Sequence, residues 1–595
     1  MDYKEKIPDS LNSAKDFENY GFYILNGKYY TYEIRGKNVN NIELSNFVAE
    51  SLFHLLNGTN NTKRIIKIQR NTGEISINEI QSSEMKLDPL ETILKSNQCT
   101  FYGNTYQLKR IIAKWMDSEV QAHNIETLGY NPEHNVYAFS NAVFTNKNKL
   151  LNVNNVGIIK DSGSEKNYYL PAFGIAQLNN QDYEGERKFQ FIPGTLNFNE
   201  WAKLYYEAFE TNGAIAILFL ILSVFWDIVF NQVGFFPFLF LFGAYGTGKT
   251  KLTEFLLRVL GKDYLGIPLN NATQVGLTRS IASRNNSIFY LKEYTPETDE
   301  SNQDLILTAY DGSGRVTGIK TNDNKTRIAA VKSAIIFDGN HLPAQKTAVL
   351  SRMILLDFQK NKFSTQQKIA YGKLENIQDD GFGFVLTDIL KHREYISENF
   401  KRVFDENKSE LTKELPENFS DRTLNHVAVI LAPVKLLIKK LKFPFSFKEI
   451  TRAVVENAIN QNNLLKQTDE ITIFWQAFAY GIKNGTLVKF GEVFNNNKNS
   501  HYNFKRTKAF EDILQIKLQS IYPEYVKYCK NNSLRFLDSN SLRMLITSTA
   551  NKAFIPNQQK KPGNAYVDKY FGSCYQFWLE ENGIGFTIND VEINE

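Results

Sequence analysis

One run of eight residues, Gly243-Ala244-Tyr245-Gly246-Thr247-Gly248-Lys249-Thr250, constrains this chain more than any other feature. It has the pattern G-x-x-x-x-G-K-T. Glycines at Gly243, Gly246 and Gly248, with Thr247 between the last two, allow a tight turn whose backbone N–H groups point inward at phosphate oxygens, and a helix that starts there adds its positive end. In such a loop Lys249 reaches the β and γ phosphates and the Thr250 hydroxyl binds Mg²⁺. The flanks agree with this reading. Phe238 to Phe242 is a continuous apolar run, as a parallel strand buried on both faces requires, and Lys251 to Leu260 has helical periodicity. Strand, glycine loop and helix in that order predict an α/β nucleotide-binding core that takes ATP with Mg²⁺.

The chain has 595 residues, too many for one core. Three regions are expected: an α+β region over 1–195, a nucleotide-binding region with a helical lid over 196–440, and a mainly helical region over 441–595. In the first, Asn26-Gly27 and Asn71-Thr72-Gly73 each stand between alternating runs and predict hairpins, and Tyr106 to Met116 has helical spacing. Asn197 to Phe230 reads as two helices, 286–360 as alternating strands and turns, and Phe363 to about Lys440 as largely helical, with a helix start at Ser420 or Asp421. Net charge is +5, which permits a polyanionic partner without requiring one. The three cysteines are far apart and the seven histidines scattered, so neither a disulfide framework nor a zinc site is expected. The charged N-terminus is no signal peptide. Ala214 to Trp226 is apolar apart from Ser223 but too short for a bilayer, so a buried helix, no membrane partner and a cytoplasmic location are expected.

A nucleotide hydrolase of this kind needs a carboxylate at the end of a neighbouring strand. Ser287-Ile-Phe-Tyr-Leu-Lys-Glu-Tyr supplies one: Ile288 to Leu291 is the strand, and Glu293, just past it, is placed to polarise water and to serve the metal. The residue before Glu293 is Lys292, where an acid for the magnesium shell is usual, so Glu293 takes both roles or another acid such as Glu297 helps. Ala334 to Phe337 is a further strand, with Asn340 beyond its end to sense the γ-phosphate. Arg352 directly precedes another strand, as an arginine finger reaching a neighbouring subunit would, and Arg422 starts a helix in the lid as a second phosphate sensor.

Between the acidic and Asn340 strands, Gly314 to Lys332 reads as strand, polar turn, strand, with Lys320 and Lys325 flanking Thr321-Asn322-Asp323-Asn324. A lysine-tipped hairpin suits sequence-independent contact with phosphates of single-stranded DNA. The order of these pieces resembles a hexameric AAA+ helicase of the superfamily 3 and MCM-like kind, and more closely the replication initiator–helicases of phages, pathogenicity islands and staphylococcal cassette elements. Gly243–Thr250, Leu291-Lys-Glu-Tyr294, the 314–332 hairpin, Ile335-Ile-Phe-Asp-Gly-Asn340 and Leu350-Ser-Arg352 carry the resemblance, over about residues 200–440; Lys292 departs from it. The resemblance implies ATP-driven movement on single-stranded DNA by a homo-hexameric ring during replication. It also implies a winged helix after the ATPase, contacting origin duplex DNA. Ser541 to Ile546 would be a helix of that domain, and Phe554 to Tyr566 the wing, with Lys560 and Lys561 at its tip. Two alternatives share the ATP residues. One is an AAA+ protein remodeller, of phage defence for instance, which would present an aromatic pore loop where this chain has lysines. The other is an origin-binding switch that binds ATP but barely hydrolyses it, a reading Lys292 keeps open.

Overall fold

The structure, a computed structural model, describes residues 11–35, 38–56, 62–118, 120–163, 166–177, 181–261, 266–295, 300–313, 315–318, 326–340, 347–359, 363–415, 419–491, 500–506, 512–532, 534, 536–548, 553–557 and 565–578. The chain divides into two compact units, Met1–Phe191 and Ile192–Glu595.

The first unit is built on a six-stranded mixed sheet. Its strands run, in spatial order, Ile158–Asp161, Lys166–Tyr169, Val120–Asn124, Phe47–Leu56, Lys63–Arg70 and Ile75–Gln81. Both expected hairpins form. Tyr23–Leu25 pairs with Lys28–Arg35 across Asn26 and Gly27, whose φ angles of 47° and 71° are those of a hairpin turn with both central residues left-handed. Lys63–Arg70 pairs with Ile75–Gln81 around Asn71-Thr72-Gly73. Helix Thr105–Ser118 buries Leu108, Ile111 and Trp115 against the sheet's aliphatic side, the i, i+3, i+7 set that its spacing predicts.

The second unit opens with α1, Phe198–Val224, capped by Asn197, whose side chain accepts from the Glu200 N–H. By length and apolarity α1 could cross a bilayer. It is the central helix of this unit instead, with the whole run Gly213–Val224 buried. The two helices expected over Asn197 to Phe230 become three segments, since α1 is kinked at Glu210, whose φ of 50° is not helical, and Trp226–Val233 follows it.

Five parallel strands follow: β1 (Phe238–Gly243), β2 (Ile267–Pro268), β3 (Ile288–Tyr294), β4 (Ala334–Gly339) and β5 (Met353–Phe358). Their spatial order is β2-β3-β4-β1-β5. The period-two pattern of strands sorts side chains to two faces. Phe238, Phe240, Phe289, Leu291, Ile335, Phe337, Met353 and Leu355 share one core, while Leu239, Leu241, Tyr290, Ile336, Asp338 and Leu356 face the other way and are buried as well. Burial on both faces explains why these strands read as unbroken apolar runs. Helix α2, Lys249–Leu257, leaves the loop after β1 and is tied to α1 by the Tyr205 hydroxyl, which donates to the Leu252 carbonyl at 2.8 Å.

Helices α3 (Thr365–Ile377), α4 (Asp421–Leu437) and α5 (Phe447–Lys483) surround α1. As expected, α4 starts at Ser420, whose side chain accepts from the Thr423 N–H at 3.1 Å. Helix α5 also protects the sheet's open edge. Its Gln461 bonds the Leu355 N–H and the Met353 carbonyl at 3.0 and 2.8 Å, and Asn457 donates to the Leu355 carbonyl at 2.9 Å. Side-chain amides thus complete a backbone ladder that an edge strand leaves unpaired.

One expectation needs correcting. The 286–360 segment is not strands and turns alone, because Glu300–Tyr310 is a helix. Its polar first half hides the period, and its core residues, Leu305, Ile306, Ala309 and Tyr310, lie in the second half. The 314–332 hairpin forms as expected in its backbone, Arg315–Gly318 pairing with Thr326–Ala329; Lys320 and Lys325 lie outside the described residues, as do Glu297, Lys560 and Lys561. After α5 come a hairpin (Tyr502–Arg506 with Asp512–Ile516), helices Leu518–Asn531 and Ser539–Ile546, and strands Phe554–Ile555, Tyr566–Asp568 and Gly572–Trp578 that join the hairpin's sheet around Gly572–Trp578.

Tyr310 also meets α4, where its hydroxyl bonds His426 Nε2 at 2.9 Å. Burial, reinforced by Arg422, pushes His426 down to about 3, so the folded ring is neutral. An unfolded histidine titrates near 6.5. Between those values the unfolded chain holds the extra proton, so this contribution to stability is full above about pH 6.5 and falls by up to about 1.4 kcal/mol per pH unit below it. The thermal midpoint should therefore drop between pH 7 and pH 5, and His426→Gln should flatten that drop; calorimetry across the range checks it.

Candidate active site

The carboxyl ends of β1, β3 and β4 lie side by side, and the loops beyond them line one cleft of about 1670 Å³. Open parallel sheets bind ligands at this end because backbone N–H groups and helix N-termini collect there. Gly243, Gly246, Thr247, Gly248, Lys249, Thr250, Glu293 and Asn340 all stand at these strand ends, and all but Gly243 line the cleft.

The loop's shape explains its glycines. A Cβ on Gly243 would sit 2.2 Å from the Phe358 carbonyl of β5, a distance no side chain tolerates. Gly248, the residue before α2, has φ +95°, which L residues rarely adopt. Thr247 fastens the turn by donating to the Ala244 carbonyl at 2.8 Å. Lys249 is buried, and its ammonium donates to the Gly243 and Ala244 carbonyls at 2.5 and 2.9 Å and to Asn340 Oδ1 at 3.2 Å. Asn340, exposed one residue beyond β4, is thereby joined to the loop lysine across the β1–β4 register.

Glu293 is held in an unusual way. The pairing of β3 with β4 slips between Leu291 and Tyr294, so Lys292 and Glu293 form a bulge. Glu293 has φ +59°, a left-handed conformation costly for a side chain of its size. Its N–H donates to Asp338 Oδ1 at 2.8 Å, which fixes the bulge. A bulge of this kind re-aims one side chain, and here the exposed Glu293 carboxylate borders the cleft.

Two functional candidates escaped sequence reasoning. Tyr290 is one letter in an apolar strand, yet its hydroxyl donates to Asp338 Oδ2 at 2.7 Å. Burial, then the Asp338 charge, holds this phenol far above its ordinary range, so it remains a donor. Asp338 itself is 7% exposed and lines the cleft. The available signal was an acid at the end of an otherwise apolar buried strand, a position that needs hydrogen-bond partners.

Arg352 and Arg422 are brought together, but elsewhere. Both guanidinium groups lie over the Tyr310 ring, at 5.4 and 5.7 Å from its centroid, and Arg422 donates to Ser351 at 2.7 Å. The Phe238 N–H bonds the Arg352 carbonyl, which puts the pair at the amino end of the sheet, opposite the glycine loop. Arg422 does stand in the first turn of a helix, α4, and that start packs against the turn before β5.

No protein-family model and no curated protein matches this sequence. Solved structures do. The SCCmec type IV Cch active helicase is 13% identical and aligns over 94% of this chain and 97% of its own, with a TM-score of 0.51. The fold is that of a solved helicase. The A-form apo C-terminal region of NrS-1 is 12% identical over 67% of this chain and 90% of that one, at a TM-score of 0.26, and a JCV helicase with a bound phenoxyphenyl acetamide is 15% identical over 40% and 65%, at 0.22.

The crowding at Gly243 gives a direct check. Gly243→Ala should destabilise the second unit by about 1–3 kcal/mol, the cost of overpacking a tight site, read as a lower denaturation midpoint against wild type.

Proposed function

We propose that this protein is an ATP-dependent DNA helicase of a mobile element or phage, an AAA+ ring motor that moves on single-stranded DNA during replication. The observation that carries the reading is the convergence of Lys249, Asn340 and the strained Glu293 at adjacent strand ends beside a glycine loop. The fold shared with a helicase supports it.

In this reading the loop N–H groups and Lys249 grip the ATP phosphates, with Asn340 passing the state of the γ-phosphate to the loop lysine. Glu293 accepts the proton of the attacking water. The residues also fit Mg²⁺, a hard cation that takes oxygen ligands. The Thr250 hydroxyl and a carboxylate, Asp338, share the cleft. When bound with the nucleotide, Mg²⁺ would neutralise phosphate charge. Arg352 and Arg422, at the sheet's far end, would act on the nucleotide of a neighbouring subunit, six to a ring in the cytoplasm. Lys320 and Lys325 would hold the single strand, and a C-terminal winged helix with Lys560 and Lys561 would hold duplex DNA at the origin. Lys292 favours a second reading, an ATP-bound switch with little turnover.

ATPase rate with and without single-stranded DNA tests the choice. DNA should stimulate turnover, and Glu293→Gln should reduce it about 10²–10⁴-fold while nucleotide binding persists. Turnover indifferent to DNA would defeat the helicase reading; binding without turnover would leave the switch.

A further inference from the structure

The strand that carries Glu293 ends in a cation where the metal of a bound nucleotide calls for an acid. Lys292 shares the sheet face of Tyr290, with its Nζ 5.5 Å from that ring's centroid. Position 292 therefore offers no carboxylate to a cation. The neighbouring strand does. Asp338 pairs in register with Leu241 of β1, two residues before Gly243, so it stands one strand nearer the glycine loop than position 292.

Three observations give Asp338 more than a structural role. It is more than nine-tenths buried yet lines the cleft that Lys249 and Thr250 line. Its two oxygens accept one hydrogen bond each, from the Tyr290 hydroxyl and the Glu293 N–H, whereas a carboxylate has about four acceptor sites. And the residue whose N–H it accepts, Glu293, lines the same cleft, so one carboxylate suited to a hard cation fixes the other beside it. A charge buried solely to brace the Glu293 bulge would be costly where a neutral amide or hydroxyl could accept the same bond.

We propose that Asp338 supplies the carboxylate for the hydration shell of the Mg²⁺ that accompanies the nucleotide, in place of the acid missing at Lys292. The inference rests on the ATP-binding reading above and names the residue that lets such a site work without an acid at 292. It also accounts for the placing of Glu293, since the group that holds the metal shell fixes the water-activating carboxylate through its own backbone N–H.

The test is Mg²⁺-dependent binding of a fluorescent N-methylanthraniloyl ATP to the full chain, with Mn²⁺ paramagnetic resonance as a second readout. Asp338→Asn should raise the Mg²⁺ concentration for half-maximal binding about 10–100-fold and weaken the Mn²⁺ signal, while binding in EDTA stays near wild type. Tyr290→Phe, which removes one hydrogen-bond partner but keeps the carboxylate, should raise the Mg²⁺ requirement much less than Asp338→Asn does. Adding Lys292→Asp to Asp338→Asn should restore part of the loss. An unchanged Mg²⁺ requirement in Asp338→Asn overturns the proposal, and so does an equal rise in Tyr290→Phe, which would mean bracing alone. Should Asp338→Asn not fold, Asp338→Glu, with its carboxylate displaced, must still raise the requirement, and an unchanged value overturns the proposal. If wild type binds no nucleotide with or without metal, the ATP reading itself fails, an outcome distinct from intact binding with unaltered metal dependence.

Discussion

The β1–β4 hydrogen-bonded register is the constraint on which the rest of the cleft depends. A parallel sheet buried on both faces has chemistry only at its ends. Pairing Leu241 with Asp338 and Phe242 with Gly339 sets Asn340 level with the loop and lets its side chain reach Lys249. The same strand, from its other side, fixes the Glu293 bulge through Asp338. Shifting β4 by one residue would turn Asp338 into the opposite apolar core and separate all three groups at once.

The two ends of that sheet are chemically unlike. One end collects backbone donors, a lysine and carboxylates around an open cleft. At the other, two arginines and a neutral histidine are organised around one tyrosine ring. Tyr310 keeps the two guanidinium groups close despite their repulsion, since the negative face of an aromatic ring attracts a cation. Neither end touches the other, yet β1 and β5 run from one to the other, so both are fixed by the same pair of strands.

Much of this was legible in the sequence because it is local. The glycine loop, the apolar runs of β1, β3, β4 and β5, the Asn26-Gly27 hairpin and the cap at Ser420 each depend on neighbours within a few residues. What was not legible depends on pairing between distant segments. Nothing local to Glu293 shows that its backbone is left-handed, because the cause is a carboxylate 45 residues away on another strand. Likewise, Tyr290 reads as core until Asp338 is set beside it, and Arg422 moves to the far end of the sheet only because α4 starts against Ser351. Helix Glu300–Tyr310 was missed for a different reason, a short apolar face behind a polar first half.

Helix α5 has a mechanical consequence. In its first half, Asn457 and Gln461 are bonded to the edge strand beside the glycine loop, and in its second half Phe474, Trp475 and Phe478 are embedded in the core of the C-terminal sheet and helices. At 1.5 Å per residue, its 37 residues make a rod about 55 Å long. Clamped at Gln461 to the strand that flanks the loop, it extends about 33 Å beyond that residue and converts a tilt of about 5° into a sweep of about 3 Å at its far end. The C-terminal module thus rides on a boom whose pivot is the edge of the sheet.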